Sequence, residues 1–187
     1  MFLTQLASVL ALAAGAAASS AKPQAHVESC YKGETASLYC YNGKDDKPQN
    51  VDMGDVAKVA QALRDWGRGI EGGRFLTMTA KDAPDCAEWD IFTLNTVMAL
   101  AKHVGTNKDS SVLYEDIART IDGGAATQDE EDDKRKTIMS CLEAGGSLGV
   151  AVNKTDPAYH TKEYEKSGYT PDGIVIKIVA NVKKVDL

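Results

Sequence analysis

Residues 174–182, Ile174-Val175-Ile176-Lys177-Ile178-Val179-Ala180-Asn181-Val182, carry the strongest strand signal of the chain. Ile174, Ile176 and Ile178 alternate with Val175, Lys177 and Val179, so the run is apolar on both sides over most of its length. Such a strand has to be covered on at least part of both faces. The rest of the chain must supply that cover.

Reading upstream, Asn153 to Gly173 is a polar, tyrosine-containing loop, and Leu148 to Val152 is a short strand candidate. Ile138, Cys141 and Leu142 form the apolar stripe of a predicted helix that ends at Gly145-Gly146. The charged run before it, residues 128–136, resembles a binding patch at first sight. Its spacing argues for a solvated helix. Glu130–Lys134, Glu131–Arg135 and Asp132–Lys136 are acid-before-base pairs at i,i+4, each worth roughly 0.2–0.5 kcal/mol to a helix. The acidic end also falls at the helix N-terminus, where the macrodipole favours negative charge.

Two further helices are predicted in the middle of the chain. One spans Asn95 to Val104, with Val97, Leu100, Ala101 and Val104 on one face. The other opens at Ser110 or Ser111, presents Leu113, Ile117 and Ile121, and stops at Gly123-Gly124. Asp52 or Asp55 opens a clear amphipathic helix carrying Val56, Val59, Ala60, Leu63 and Trp66 and stopped by Gly67 and Gly69. Phe75 to Ala80 and Ala87 to Phe92 alternate as half-buried strands, with Trp89 and Ile91 on one face. The loop between them, Lys81 to Cys86, is short enough for antiparallel pairing. Before these lies a polar segment from Lys22 to Gln49, with a short strand candidate at Ser37 to Tyr41. The fold class expected is α+β: a small, largely antiparallel sheet with several packed helices, stapled by disulfides.

Residues 1–21 contain no Asp, Glu, Lys or Arg, and Leu6 to Ala18 is an almost unbroken run of apolar and small residues. This reads as a secretory signal peptide, cleaved after Ala18 or Ala21. It is too short for a membrane span, which needs roughly 20 apolar residues, so no membrane anchor is expected. Residues 22–187 then form a single secreted domain with a polar N-terminal arm. Its net charge of −6 disfavours nucleic-acid binding, which requires a basic surface to displace counterions.

Cys30, Cys40, Cys86 and Cys141 all follow the leader. An even count in a secreted chain implies two disulfides, and three pairings are open. The polar segment before residue 50 would gain most from long bridges, which favours joining Cys30 and Cys40 to Cys86 and Cys141. With no CxxC and no histidine at ligand spacing, a zinc site is not expected; a reactive thiol is the other use. Asn153-Lys154-Thr155 is an N-glycosylation sequon.

The chain holds no GxSxG elbow, P-loop, HExxH or EF-hand loop, and no cofactor is expected. The glycine pairs at 72-73, 123-124 and 145-146 sit at element ends, where positive φ is cheap for glycine. Of three histidines, His26 lies in the N-terminal arm, His103 at the end of a predicted helix and His160 in the polar loop. A ribonuclease-like site needs a histidine converging with Glu and Arg. His103, Glu115 and Arg119 are the candidates, though no spacing brings them together. Asp82, Asp85, Glu88 and Asp90 cluster around Cys86, but a solvated loop and strand face explains them better than a carboxylate pair or a calcium site. Trp89 among them reads as core before it reads as a sugar platform. Tyr159, Tyr164 and Tyr169, on a Gly- and Pro-containing loop, are the candidate recognition residues.

The stretch Asp85-Cys86-Ala87-Glu88-Trp89-Asp90-Ile91-Phe92, followed by Tyr114-Glu115-Asp116-Ile117-Ala118, resembles the necrosis-inducing-factor and killer-toxin-like families of small secreted fungal proteins. In those a cysteine-bearing strand precedes a helix with an Asp-Ile or Asp-Val element. The families' richer cysteine pattern is not matched. The resemblance implies a non-catalytic virulence or toxin factor, an effector that binds a protein of a host or competing microbe. The alternative expectation is a secreted hydrolase or ribonuclease with an unrecognised site. A cell-wall structural role is the third, for which the chain lacks low-complexity repeats.

Overall fold

The computed structural model describes residues 25–26, 36–84, 87–105, 107–124 and 136–182. The predicted signal peptide, Cys30, Cys86, Asp85 and the charged run as far as residue 135 lie outside them. Strands β1 (Ala25–His26), β2 (Tyr39–Cys40), β4 (Glu88–Leu94), β5 (Val97–His103), β7 (Gly146–Gly149) and β8 (Ile174–Ala180) form one sheet. Its order is β1-β4-β5-β8-β7-β2, and every ladder is antiparallel. Strands β3 (Phe75–Met78) and β6 (Ser110–Leu113) make a separate antiparallel ribbon. Among the described residues, helices α1 (Met53–Arg68), α2 (Tyr114–Asp122) and α3 (Lys162–Ser167) and the 3₁₀ segments Ile138–Ala144 and Pro157–His160 supply the helical part of the α+β fold. No helix among the described residues is long and apolar enough to cross a membrane.

Strand β8 is flanked by β5 and β7, and both of its faces are covered. Ile174, Ile176 and Ile178 join Val97, Ala99 and Ala101 of β5 in one core with Val56, Val59 and Leu63 of α1 and Ile117 and Ile121 of α2. On the opposite face Val175 and Lys177 are buried as well. The alternation in the sequence is therefore a two-faced burial, with the polar residue on the side away from the helices.

Several predicted elements differ. The segment from Asn95 to Val104 is strand β5 rather than a helix. Ala, Met, Leu and Lys are good helix formers, but pairing on both edges with β4 and β8 outweighs that propensity. The period that counts is two: Val97, Ala99, Ala101 and His103 are all fully buried. Asn95-Thr96 is the two-residue hairpin loop between β4 and β5, and Asn95 takes φ 47°, a left-handed conformation that asparagine tolerates.

The expected hairpin across Lys81–Cys86 does not form, since β3 pairs with β6 and β4 with β5. A register shift between Asp90 and Phe92 places Trp89 and Phe92 opposite Ala101 and Ala99, so a bulge changes which residues share the core face. Ser110 to Leu113 is strand, and the helix expected from Ser110 begins at Tyr114. Strand β7 begins at Gly146, ahead of the expected Leu148. The loop expected from Asn153 to Gly173 contains a 3₁₀ segment and α3. Ile138 and Cys141 are buried as predicted, whereas Leu142 is exposed, with φ 53° and ψ −145°. Trp66 is also exposed, with the Arg74 guanidinium 3.9 Å above its ring.

Cys40 and Cys141 form a disulfide that ties β2 to the 3₁₀ segment Ile138–Ala144. This pairing lies within the long-range set favoured by the sequence. Gly146 sits beneath it, where an added Cβ would meet Tyr39 O at 2.6 Å and Cys141 Sγ at 2.9 Å. Only glycine lets the strand and the bridge approach so closely.

Helix α1 is joined to the β4–β5 turn through one carboxylate. Asp52 caps the helix by accepting from Asp55 N at 2.8 Å. Asp55 in turn accepts from Asn95 Nδ2 at 3.1 Å and Thr96 Oγ1 at 2.9 Å. These hydrogen bonds, Asn95 first, hold its carboxyl at about 2, below the usual 3.8. A depressed folded-state pKa gives stability that is present above the unfolded value and lost as pH falls through the folded one. Urea midpoints should therefore fall between about pH 4 and pH 2, and Asp55→Asn should flatten that part of the profile. An unchanged acid slope in the variant would show that Asp55 does not couple the helix to the turn.

Candidate functional site

The candidate catalytic residues are used elsewhere. His103 ends strand β5 instead of a helix and is fully buried. Its Nδ1 donates to Ala83 O at 2.5 Å, since a carbonyl only accepts, and its Nε2 shares a hydrogen bond with Ser110 Oγ at 3.1 Å. Glu115 accepts from Arg68 Nε at 2.7 Å and Arg68 Nη2 at 2.9 Å, with Arg64 Nε at 3.3 Å. Arg64 also reaches both oxygens of Asp122, at 2.8 and 2.9 Å, so this network clamps α1 to α2. Arg119 pairs with Asp116 and donates to Ala151 O. The three candidates thus serve three separate clusters. His160 is exposed and donates from Nε2 to Lys154 O at 2.8 Å, and His26 lies in β1.

The acidic cluster also separates. Glu88 is buried against Lys177 at 3.0 Å, Asp90 accepts from Thr93 Oγ1 at 2.8 Å, and Asp82 accepts from Thr79 Oγ1 at 3.1 Å. No grouping of three metal-ligating side chains occurs among the described residues. Trp89 packs against the core, and its buried Nε1 has no hydrogen-bond partner among the described residues.

The three tyrosines divide. Tyr159, expected on an exposed loop, is buried. Its hydroxyl donates to Asp116 Oδ2 at 2.7 Å and accepts from Leu113 N at 2.9 Å. Burial raises the Asp116 carboxyl above its ordinary range, against the lowering effect of the Tyr159 hydroxyl bond. Tyr159 is therefore a scaffold residue that docks the segment Pro157–His160 onto the junction of β6 and α2. Tyr164 and Tyr169 stay half-exposed.

These two rings form part of a cleft of roughly 220 Å³ beside the β3–β6 ribbon. The register sets Thr77 opposite Ser111 and Phe75 opposite Leu113, so Phe75, Thr77, Ser111 and Leu113 share the face of the ribbon that looks away from the main core. The segment Pro157–His160 and α3 cover the Phe75–Leu113 end. The Thr77–Ser111 end forms the floor of the cleft, its two hydroxyls 2.8 Å apart. Phe75, Tyr164 and Tyr169 wall it, and Thr161, Glu163 and Ser167 of the α3 region rim it.

The walls are held firmly. Tyr164 Oη donates to Ser111 O at 2.8 Å, and burial raises its hydroxyl to about 12. Thr161 caps α3 by accepting from Tyr164 N at 3.2 Å. Ser167 Oγ donates to Tyr164 O at 2.6 Å and accepts from Tyr169 N at 3.0 Å. The sequence singled out Tyr164 and Tyr169 but missed Phe75, Thr77 and Ser111, because nothing local shows that β3 pairs with β6. Asn153, the sequon residue, is half-buried and its Oδ1 accepts from Thr155 Oγ1 at 2.7 Å. No protein-family model matches the chain, and no curated protein or solved structure matches it significantly.

Proposed function

We propose that the chain is a secreted, disulfide-stapled binding protein of the effector or toxin kind, acting on a host or competing microbe through recognition. The observation that carries this reading is the contrast between two sets of side chains. His103, Glu115 and Arg119 are held in separate structural contacts, while the cleft beside the ribbon gathers aromatic rings and hydroxyls. Rings and hydroxyls are groups suited to holding a ligand. The apolar leader, the Cys40–Cys141 bridge and the sequon agree with passage through an oxidising secretory route. Cleavage after Ala18 or Ala21 and a glycan on Asn153 belong to the same proposal.

The test uses protein secreted from a eukaryotic host and applied to plant tissue and to fungal or yeast cells, with ion leakage as the readout. The expected mature N-terminus is Ser19 or Lys22. Leakage is expected from the oxidised sample and not from a reduced, alkylated one. Retention in the cell, or absence of damage to every cell type, would count against secretion or against direct toxicity respectively.

A further inference from the structure

We infer that the cleft between the β3–β6 ribbon and α3 binds the ring of a neutral saccharide, an inference that deepens the binding-protein reading and rests on it. The charge of the lining decides the class first. Among the described residues that line it, Glu163 is the one ionisable side chain other than tyrosine, and no Lys, Arg or His contributes. A phosphate, sulfate or carboxylate ligand would meet a carboxylate and no countercharge.

The shape of the walls comes next. Tyr164 and Tyr169 lie 6.4 Å apart at 68°, and Tyr164 and Phe75 lie 5.1 Å apart at 30°. The first pair makes a corner, one ring face against one ring edge. In the second pair the rings shield one another, so they do not supply the several open faces that would enclose an ammonium ion. A corner of this kind suits a flat ligand with an apolar C–H face on one side and polar groups around its edge.

The floor and rim then supply partners for those polar groups. Thr77 Oγ1 and Ser111 Oγ bond each other and Ser111 is buried, so on the floor the half-buried Thr77 hydroxyl alone is placed to reach a ligand. The Glu163 carboxylate at the rim can accept from a ligand hydroxyl. A cleft of roughly 220 Å³ admits a single sugar ring. Because it is open, further units of an oligosaccharide would extend along the surface. The bond from Tyr164 Oη to Ser111 O fixes that ring, so little of its side-chain freedom is lost on binding.

The experiment is a protein-observed NMR titration of the oxidised, folded chain with neutral cello-, laminari- and chito-oligosaccharides. An oligogalacturonide and tetramethylammonium serve as the charged probes. At least one neutral series is expected to shift the Tyr164 and Tyr169 ring signals at up to millimolar concentration, while the charged probes leave them in place. Tyr169→Ala should weaken that binding about tenfold, the loss of one stacking contact. Trp66→Ala, which removes an exposed aromatic outside the cleft, should leave it unchanged. Glu163→Gln, an exposed substitution, provides a second variant should Tyr169→Ala fail to fold, and should also weaken it. Shifts confined to another surface, preference for a charged probe, binding that survives both variants, or no response to any neutral series would each overturn the inference. Cell damage without saccharide binding would overturn this inference alone; saccharide binding without damage would overturn only the direct-toxin reading.

Discussion

Replacing Cys40 and Cys141 together by alanine is expected to cost about 4–5 kcal/mol, because the bridge closes a loop of 101 residues and so restricts the unfolded chain strongly. The native structure around the bridge makes the same point. Among the described residues, strand β2 is two residues long and pairs only with β7, and residues 36–49 carry little buried apolar area apart from partly buried Leu38. Without the bridge, β2 is held by its short ladder and by the Tyr41 N to Gly145 O bond of 3.1 Å. A loss of 4–5 kcal/mol would lower the melting temperature by roughly 10–20 °C in a chain of this size. Denaturation of the double variant measures it, and non-reducing peptide mapping of the parent must first recover the Cys40–Cys141 pair. The same digest tests whether Cys30 and Cys86 form the second bridge expected from the even cysteine count. A loss below about 1 kcal/mol would mean that the bridge secures only the local arm, with the sheet and helices folding independently of it.

Legibility in the sequence depended on whether the deciding contacts were local. Asp52, the Val56–Val59–Leu63 stripe and the Gly123 end of α2 are set by neighbours within a turn or two, and the corresponding helices were readable. Strand β8 was readable because seven consecutive positions share one alternation. Strand β5 was not, since Val97, Leu100, Ala101 and Val104 satisfy the helical period while the buried set, Val97, Ala99, Ala101 and His103, satisfies the strand period. Only the neighbouring strands decide between them. The cleft shows the same division. Tyr164 and Tyr169 drew notice as loop aromatics, but Tyr159 has the same local setting and is buried by Asp116 and Leu113, residues more than 40 positions away. The floor, Thr77 and Ser111, exists only through the pairing of β3 with β6, separated by 34 positions at that contact.

Lys177 offers the second large effect, and it arises from the one charged position within the apolar run of β8. Its Nζ lies 3.0 Å from Glu88 Oε2, and the two side chains are only 8% and 4% exposed. Lys177→Met should therefore cost about 3–5 kcal/mol, because it leaves the Glu88 carboxylate buried without that countercharge. The apolar stem of lysine is replaced by a side chain of similar length, so lost packing contributes little. Removing both charges, in Lys177→Met with Glu88→Gln, should recover most of the loss, since the expense lies in the uncompensated charge rather than in the missing attraction. Urea denaturation of the two single variants and the double variant closes the cycle. Lys102 complicates it in an informative way, because it is cross-strand partner to Glu88 on β5 and is itself 3% exposed. If Lys177→Met alone proves nearly neutral, Lys102 has taken over Glu88, and Lys102→Met in the Lys177→Met background should then produce the full loss. If both variants are tolerated, water reaches this face of the sheet and the burial of Lys177 is not maintained in solution. A large single loss with recovery in the double variant would establish that the face of β8 turned away from the helices is a second, polar interior, which a run of isoleucine and valine broken by one lysine had encoded.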